Sequence, residues 1–451
     1  MSDPEVVLAA DQHPDGSTTT ARELLRDRSI AAFLTAACLS TLALSAQATA
    51  LGKQVFDLTA REIDLGWLGL AEFAPAALLV VVAGNVADRH DRRRVAFWGY
   101  LGEAVCAVGL AALAHGRTQS LGLLLLVVLA FGVARAFQAP AIRALPANIV
   151  ERSRLPRLTA MNSTAWQAGL IAGPVLGGLL YETGPMWVYV ISAGLTLTAA
   201  LLMTLVAVLP EPPAPEPAPA PVEVVVAALD PEAPTAEAPP APKGLVAAIQ
   251  GLGVIRRTPV LFGAITLDLF AVLFGGAIAL LPAIADKRLG VDAVGLGWLR
   301  AAGGLGAAGM GLMLAIGPLR RRIGRTLFIV VAIFGAATIG LGWTHSYWVA
   351  FAMMIVLSGA DAVSVNIRST ISPLVVTDSM RGRVLAVENV FIGASNELGA
   401  FESGVVGQLI GASGAIIGGG IATLVVVVVG AAAFPSLRGV DRWSDLHPTE
   451  E

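Results

Sequence analysis

The chain has 451 residues, of which 55% are hydrophobic and 14% are charged, and its formal net charge is −3. A soluble protein would carry about 25% charged residues, so this composition excludes an ordinary soluble enzyme or nucleic-acid-binding domain. Repeated apolar runs of about 20 residues instead predict an all-α protein that crosses a membrane many times.

Twelve apolar segments are predicted to span the membrane, six on each side of a proline-rich stretch. In the first half they are Ile30–Leu51, Gly66–Val86, Val95–His115, Ser120–Ala141, Leu158–Tyr181 and Met186–Leu209. In the second half they are Val260–Ala285, Gly295–Gly317, Leu327–Trp343, Trp348–Ile367, Val384–Gly411 and Ala415–Phe434. Spans 5 and 11 are weakly similar to each other, which indicates two related halves.

The polar segments divide the chain further. The predicted parts are a tail over 1–29, a six-helix half over 30–209, a linker over 210–243, an interfacial helix over 244–258, a second half over 259–435 and a tail over 436–451. The linker is rich in Pro, Ala and Glu, a composition typical of extended chain. The segment 244–258 has apolar residues at helical spacing and ends in two arginines, as interfacial helices do.

Arginines are concentrated in loops at one predicted side of the membrane. They are Arg89 and Arg92 to Arg94 after span 2, Arg143, Arg152, Arg154 and Arg157 around the end of span 4, Arg320 to Arg322 and Arg325 after span 8, and Arg381 and Arg383 after span 10. Basic loops stay in the cytoplasm, so we expect both termini to be cytoplasmic. The two cysteines lie inside apolar segments, and a disulfide is not indicated.

The loop after span 2 carries a recognisable pattern, Gly84-Asn-Val-Ala-Asp88-Arg89-His-Asp91-Arg92-Arg93. This pattern resembles the loop between helices 2 and 3 of the major facilitator superfamily of transporters. In that family the loop holds the cytoplasmic side shut, which implies a gating role for Gly84, Asp88, Arg89, Arg92 and Arg93. Asp91 departs from the family, where Gly is usual. The alternative is an ordinary basic loop without a special role.

Span 5 contains a second pattern, Gly169-Leu-Ile-Ala-Gly173-Pro174-Val-Leu-Gly177-Gly178. It is similar to the antiporter motif of the same family, which implies export in exchange for protons. The glycines are expected to form a flat face against a neighbouring helix, and Pro174 allows a bend. The alternative is a packing face alone, since small residues are common in membrane helices.

Several charged residues fall inside the predicted spans. An isolated charge there costs about 2.5–3.5 kcal/mol, so such residues usually mark ion or substrate pathways. The proton-coupling and cavity candidates are Glu72, Arg135, Asp268, Asp361, Glu397 and Glu402, with Asp268 or Glu397 as the first choice. Arg135 is the first residue of an Arg-x-x-Gln pattern, Arg135 to Gln138, which resembles a pattern associated with proton coupling in the family. Arg300 is expected to neutralise one acid, whereas Arg368 and Glu388 are expected near the surface in structural roles.

Two short sequences, Arg381 to Val384 and Leu281-Pro282, look like the bacterial drug and siderophore exporter branch of the family. The resemblance implies a twelve-helix fold in two pseudo-symmetric halves, in the bacterial cytoplasmic membrane. It also implies a monomer that exports small amphiphilic molecules, with the proton gradient as energy source and with membrane lipids, not nucleic acid, around it.

The alternatives to export are uptake, lipid translocation and catalysis. An uptake symporter and a lipid flippase on the same fold remain open. An enzyme does not, because all five histidines lie in loops or tails and no catalytic or metal-ligand cluster occurs at one depth. No metal or cofactor site is therefore expected.

Overall fold

The computed structural model describes residues 21–116, 120–209 and 245–447, and within them every regular element is a helix. The predicted linker 210–243, the tail before residue 21 and the last four residues lie outside the described residues. The long helices of the first half are α1 (Arg28–Thr59), α2 (Glu62–Arg89), α3 (Arg92–His115), α4 (Leu121–Ala144), α5 (Leu155–Thr183) and α6 (Pro185–Met203).

The second half begins with α7 (Pro259–Phe274), α8 (Ala293–Ile316), α9 (Ile323–Trp343) and α10 (Tyr347–Val375). The last helical stretch, Asp378–Ala433, is broken at Gly411, where φ is 79°, and we number its parts α11 and α12. Ten described helical stretches are long and apolar enough to cross a membrane. The broken stretch provides two crossings and α5, 29 residues long, provides another, which gives the twelve spans predicted.

The two halves repeat the same helix contacts. In the first half α1 packs on α5 and α6, α2 on α4, and α3 on α4 and α6. In the second half α8 packs on α10 and α9 on α10, while the α11–α12 stretch packs on both α7 and α9. The halves meet along two equivalent seams, α2 with α11 and α5 with α8. The predicted fold class of two related six-helix halves is thereby confirmed.

Span 7 differs from its prediction as one continuous helix over Val260–Ala285. α7 ends at Phe274, and a 3₁₀ turn (Ala277–Leu280) and a short helix (Leu281–Lys287) complete the crossing. Two glycines stand at the break. A Cβ added at Gly276 would lie 2.7 Å from the carbonyl oxygen of Gly399, so α11 can approach this closely only at a glycine.

The predicted interfacial segment forms the helix Leu245–Arg257. It lies against the start of α11, where the Arg383 guanidinium donates a hydrogen bond of 2.7 Å to the side-chain oxygen of Gln250. Ile255 is buried in the core of the second half. This helix therefore packs on the core of the second half and contacts the basic segment at the start of α11.

Asp91, the departure from the family loop pattern, begins α3. Its carboxylate accepts a hydrogen bond of 2.9 Å from the backbone N–H of Arg93 and one of 2.7 Å from the Arg93 guanidinium. These hydrogen bonds lower the pKa of the Asp91 carboxyl below its ordinary value. Its φ of −57° needs no glycine, so the residue acts as a helix cap in place of the usual tight turn.

We predict that Asp91→Ala lowers the free energy of unfolding by about 1 kcal/mol, the usual contribution of a helix cap. Thermal unfolding in detergent, followed by size-exclusion chromatography, measures this loss. Asp88→Ala is the matched control, because the Asp88 side chain is 77% exposed. Equal midpoints for the two variants would contradict the capping role.

Candidate transport site

A cavity of about 330 Å³ lies between the two halves. Helices α1 and α2 line it from the first half, and α7 to α11 line it from the second. Its walls are mainly apolar, with Leu51, Leu65, Leu68, Ile278, Phe334 and Leu357 among them. Its charged lining residues are Glu72, Arg300, Asp361 and Glu397. An apolar chamber with a few charged groups is the usual form of a small-molecule site.

Two arginines hold acids in ion pairs, one pair partly exposed and the other buried. The guanidinium of Arg135 on α4 lies 2.8 Å from the carboxylate of Glu72 on α2. The guanidinium of Arg368 on α10 lies 2.7 Å from the carboxylate of Asp268 on α7, and both side chains are about nine-tenths buried. Each pair lies within one half and joins two of its helices, as charges inside a membrane protein require.

Three charged groups of the cavity remain without such a partner. Across the described ranges, Asp361, Glu397 and Arg300 form no hydrogen bond and no ion pair within 4 Å. The Nε atom of Arg300 is buried and unbonded. The cavity therefore presents two carboxylates and one guanidinium that are available to a ligand or a proton.

Three sequence expectations need correction. Arg368, expected near the surface, is buried and holds Asp268. Arg300, expected to neutralise an acid, has no carboxylate within 4 Å in the described chain. Glu402, a predicted cavity acid, is absent from the cavity lining. The reason is the same in each case, because depth along a helix can be read from sequence whereas the direction in which a side chain points depends on the neighbouring helices.

Asp268 faces a second and much smaller cavity between α7, α9 and α10. Asp361 and Ser364 line the same space, which holds about 10 Å³. The hydroxyl of Ser364 is buried and has no hydrogen-bond partner. Asp361 thus borders both cavities, whereas Asp268 is separated from the central one.

One end of the bundle is closed by ion pairs between the halves. Lys53 of α1 bonds Asp57 on its own helix and lies 3.4 Å from Asp286 of the other half. Lys287 lies 2.8 Å from Glu62 at the start of α2. In the sequence these residues lie near the ends of predicted spans. Nothing in the sequence indicates that they pair across the halves.

The seams hold the halves together from this closed end towards the middle. Trp67 of α2 and Phe401 of α11 meet edge to face with ring centroids 4.9 Å apart. On the other seam, the Gln167 side chain donates a hydrogen bond of 2.8 Å to the carbonyl oxygen of Gly304. Nearer the other end Leu78 and Ile316 are about 80% exposed. The contacts named here between the halves thus run from the closed end to the middle of the seams, and we call the end that bears the arginine-rich loops the basic end.

The loop motif lies at the basic end. Arg92 donates a hydrogen bond of 2.5 Å to the Asn148 side chain, and Arg93 donates one of 2.9 Å to the carbonyl oxygen of Val206. Asp88 is exposed and lies 3.8 Å from Arg92. Gly84 and Arg89 lie on the last turns of α2, and Arg89 is exposed. The arginines thus join α3 to the ends of α4 and α6, within one half.

The glycines of the span-5 motif form a contact surface. Gly169, Gly173 and Gly177 face α1, and a Cβ at Gly173 would lie 2.8 Å from the carbonyl oxygen of Leu42. Gly178 faces the first turn of α8, and a Cβ there would clash with Ala293. Pro174, also buried, lies against Gly297 of α8. The motif therefore packs α5 against its own half and against the other half at once.

Comparison with known proteins identifies the family. Residues 29–371 match the model of the Major Facilitator Superfamily. The chain belongs to the major facilitator superfamily. It is accordingly a multi-pass membrane transporter of small molecules and not an enzyme, as the sequence predicted. Within the described residues no cluster of His, Cys, Asp and Glu could hold a metal ion.

The curated relatives of this superfamily protein are distant. It is 25% identical to the enterobactin exporter EntS of Escherichia coli O127:H6 over 312 residues, which are 68% of this chain and 67% of that protein. It is 29% identical over 115 residues to the uncharacterized MFS-type transporter YhjO of Bacillus subtilis (strain 168). The chain spans about a quarter of the length of that relative.

Solved structures show the same fold. A bacterial homologue of the human lysosomal transporter Spinster, inward-facing and occupied, superposes with a TM-score of 0.67 at 16% identity, over 96% of this chain and 100% of that one. The nucleoside transporter NupG gives a TM-score of 0.59 at 14% identity, over 90% and 99%. At these identities the likeness concerns the fold alone.

We predict that Arg368→Met lowers the free energy of unfolding by about 3 kcal/mol or more, because it leaves the Asp268 carboxylate buried without a partner. The double variant with Asp268→Asn should recover most of this loss. Thermal unfolding in detergent measures both. Arg325→Met, which removes an exposed arginine, is the control. A double variant no more stable than the single one would contradict the pairing.

We also predict that Glu62→Gln weakens the closed end, because Lys287 loses its partner across the halves. A partly exposed pair contributes about 1 kcal/mol, or roughly a fivefold change in the ratio of open to closed forms. Labelling of a cysteine at Leu65 by an impermeant maleimide, with Cys38 and Cys106 replaced, measures opening. Asp441→Asn, in the exposed pair with Arg442, is the control. An unchanged labelling rate would show that the pair does not hold this end closed.

Proposed function

We propose that this transporter exports drug-like or siderophore-like small amphiphilic molecules across the bacterial cytoplasmic membrane in exchange for protons. The observation that carries the proposal is the central cavity, in which apolar walls surround the unpartnered carboxylates of Asp361 and Glu397. The walls suit the apolar body of an amphiphile. The carboxylates can accept either a proton or a cationic group of the substrate.

Competition for these carboxylates would couple the two fluxes. A substrate that reaches the cavity from the cytoplasm displaces protons from Asp361 and Glu397. Protons that enter from outside displace the substrate in turn. Because the two ligands exclude each other, each crossing carries only one of them, which is the requirement for antiport. A proton moving inward supplies about 2.3 kcal/mol per 100 mV of membrane potential, in addition to the pH difference.

The positive-inside rule supports a cytoplasmic location for the basic end and both termini. With this orientation, we propose that the structure is an inward-facing state, with the cavity reached from the cytoplasm and the outer end closed by the pairs of Lys53 and Lys287. In the outward-facing state we expect Asp88 to cap the first turn of α11, where the helix dipole favours a carboxylate. Its exposure here fits a gate that is open.

Two further features favour export over uptake. The span-5 pattern from Gly169 to Gly178 resembles the motif of antiporters, and it lies where α5 contacts both α1 and α8. A curated relative is an enterobactin exporter. Both features concern the direction of transport and the substrate class only through resemblance, so the direction is the quantity to measure.

The experiment uses inside-out vesicles that contain a pH-sensitive dye and an acidic lumen. A cationic dye, a macrolide antibiotic and a catecholate siderophore are added outside in turn. We predict that at least one compound raises the luminal pH. Glu397→Gln and Asp361→Asn should each reduce this exchange tenfold or more. Glu402→Gln is the matched control, because this acid shares α11 but does not line the cavity.

Other outcomes discriminate the alternatives. If the vesicle lumen becomes more acidic while a compound enters it, the compound and protons move in the same direction. This result would indicate a symporter. Translocation of a fluorescent phospholipid, with no response to the three compounds, would indicate a flippase. Full exchange in both the Glu397→Gln and the Asp361→Asn variants would contradict the coupling sites proposed here.

A further inference from the structure

Arg300 is the charged residue of the central cavity that proton coupling does not use. It lies on the second turn of α8, towards the closed end, and its guanidinium contacts α1 at Gly52. A Cβ added at Gly52 would lie 3.5 Å from the Nη2 atom of Arg300 and 3.3 Å from Pro282. The guanidinium therefore lies within van der Waals reach of α1, near the closed end of the cavity.

Comparison with the two other arginines of the core makes Arg300 distinctive. Arg135 and Arg368 each hold a carboxylate within 2.8 Å. Arg300 has none within 4 Å in the part of the chain described. Its buried Nε atom has no hydrogen-bond partner, which is also true of the Nε atom of Arg368. Glu72, the acid that acts on Arg300 electrostatically, is already bound by Arg135. Neutralisation by the protein itself therefore does not account for Arg300.

A guanidinium offers five N–H donors in a planar fork that matches the oxygens of a carboxylate, a phosphate or a phosphonate. A guanidinium inside a membrane protein without a counter-ion is destabilising. An anionic group of a bound molecule would accept hydrogen bonds from the terminal N–H groups of Arg300 and neutralise its charge. Arg300 lines the cavity directly, so such a group can reach it from the substrate's position.

The remaining charges define the other part of the ligand. Asp361 on α10 and Glu397 on α11 line the same cavity and are also unpartnered. A purely anionic substrate would be repelled by both, and it would promote their protonation, which favours symport over antiport. A molecule that carries a cationic group as well satisfies the carboxylates and still displaces protons. Apolar residues form most of the remaining wall.

We propose that the cavity binds zwitterionic amphiphiles, with the anionic group on Arg300 and the cationic group on Asp361 or Glu397. This proposal rests on the proposed antiport and adds the chemistry of the substrate. Arg300 contributes to affinity and selectivity, whereas the carboxylates carry the exchange with protons. Loss of Arg300 should therefore change which molecules are bound without abolishing proton exchange.

The experiment compares a rhodamine dye that has a free carboxylate with the methyl ester of the same dye. The two share the cationic ring system and differ only in the anionic group. Fluorescence anisotropy with the purified full-length protein gives Kd for each. We expect the wild type to bind the zwitterion at least tenfold more tightly than the ester, as a charge-assisted hydrogen-bonded pair allows.

Variants at Arg300 provide the decisive comparison. Arg300→Gln should weaken binding of the zwitterion tenfold or more and should not weaken binding of the cationic ester, because the variant removes a like charge. A monodisperse profile in size-exclusion chromatography shows that the variant is folded. Arg300→Lys keeps the charge but loses the planar fork, so it should retain an intermediate preference. The ester should still release protons from vesicles that contain Arg300→Gln.

The failures of the two proposals are distinguishable. Equal affinities of the wild type for both dyes, a preference for the ester, or binding of neither would overturn the zwitterion proposal. So would equal effects of Arg300→Gln on both dyes. The wild type could instead prefer the zwitterion through Arg300 while neither dye exchanges with protons in vesicles. This result would support the zwitterion site and overturn the proposed antiport.

Discussion

A charge inside a membrane protein must be compensated, and this constraint organises the interior of the transporter. Arg135 and Arg368 compensate Glu72 and Asp268, and in doing so they join α4 to α2 and α10 to α7. Breaking the buried pair of Arg368 and Asp268 would leave a buried charge, which is far more unfavourable than the pair itself is favourable. We therefore propose that the paired groups belong to the scaffold and that the unpaired groups of the cavity bind the ligand and the proton.

The two ends of the molecule differ in the partners of their charged groups. At the closed end Lys53 and Lys287 form pairs between the halves, whereas at the basic end Arg92 and Arg93 bond to groups of their own half. The seams α2–α11 and α5–α8 run between these ends and consist largely of glycines and aromatic contacts. Such surfaces contain few bonds that must break when the halves rock, so the equilibrium is controlled mainly by the polar groups at the ends.

Much of the architecture could be predicted from the sequence, and much of the site could not. Hydropathy located all twelve spans, because membrane thickness sets their length. It missed the break at Gly275 and Gly276, where close approach of α11, a tertiary contact, determines the backbone. The acids can be recognised in the sequence because charged residues are rare in apolar segments. Which of them are free depends on helix rotation, so that Asp268 proved to be paired while Asp361 and Glu397 are not.

The proposed exchange requires that substrate and protons compete for the carboxylates of the cavity. Isothermal titration calorimetry of a zwitterionic dye binding to the purified protein, in buffers of different ionisation enthalpy, counts the protons exchanged on binding. Competition between dye and protons predicts release of up to one proton per dye near neutral pH, and a smaller release in Glu397→Gln. Uptake of protons, or no exchange at any pH at which the dye binds, would contradict it.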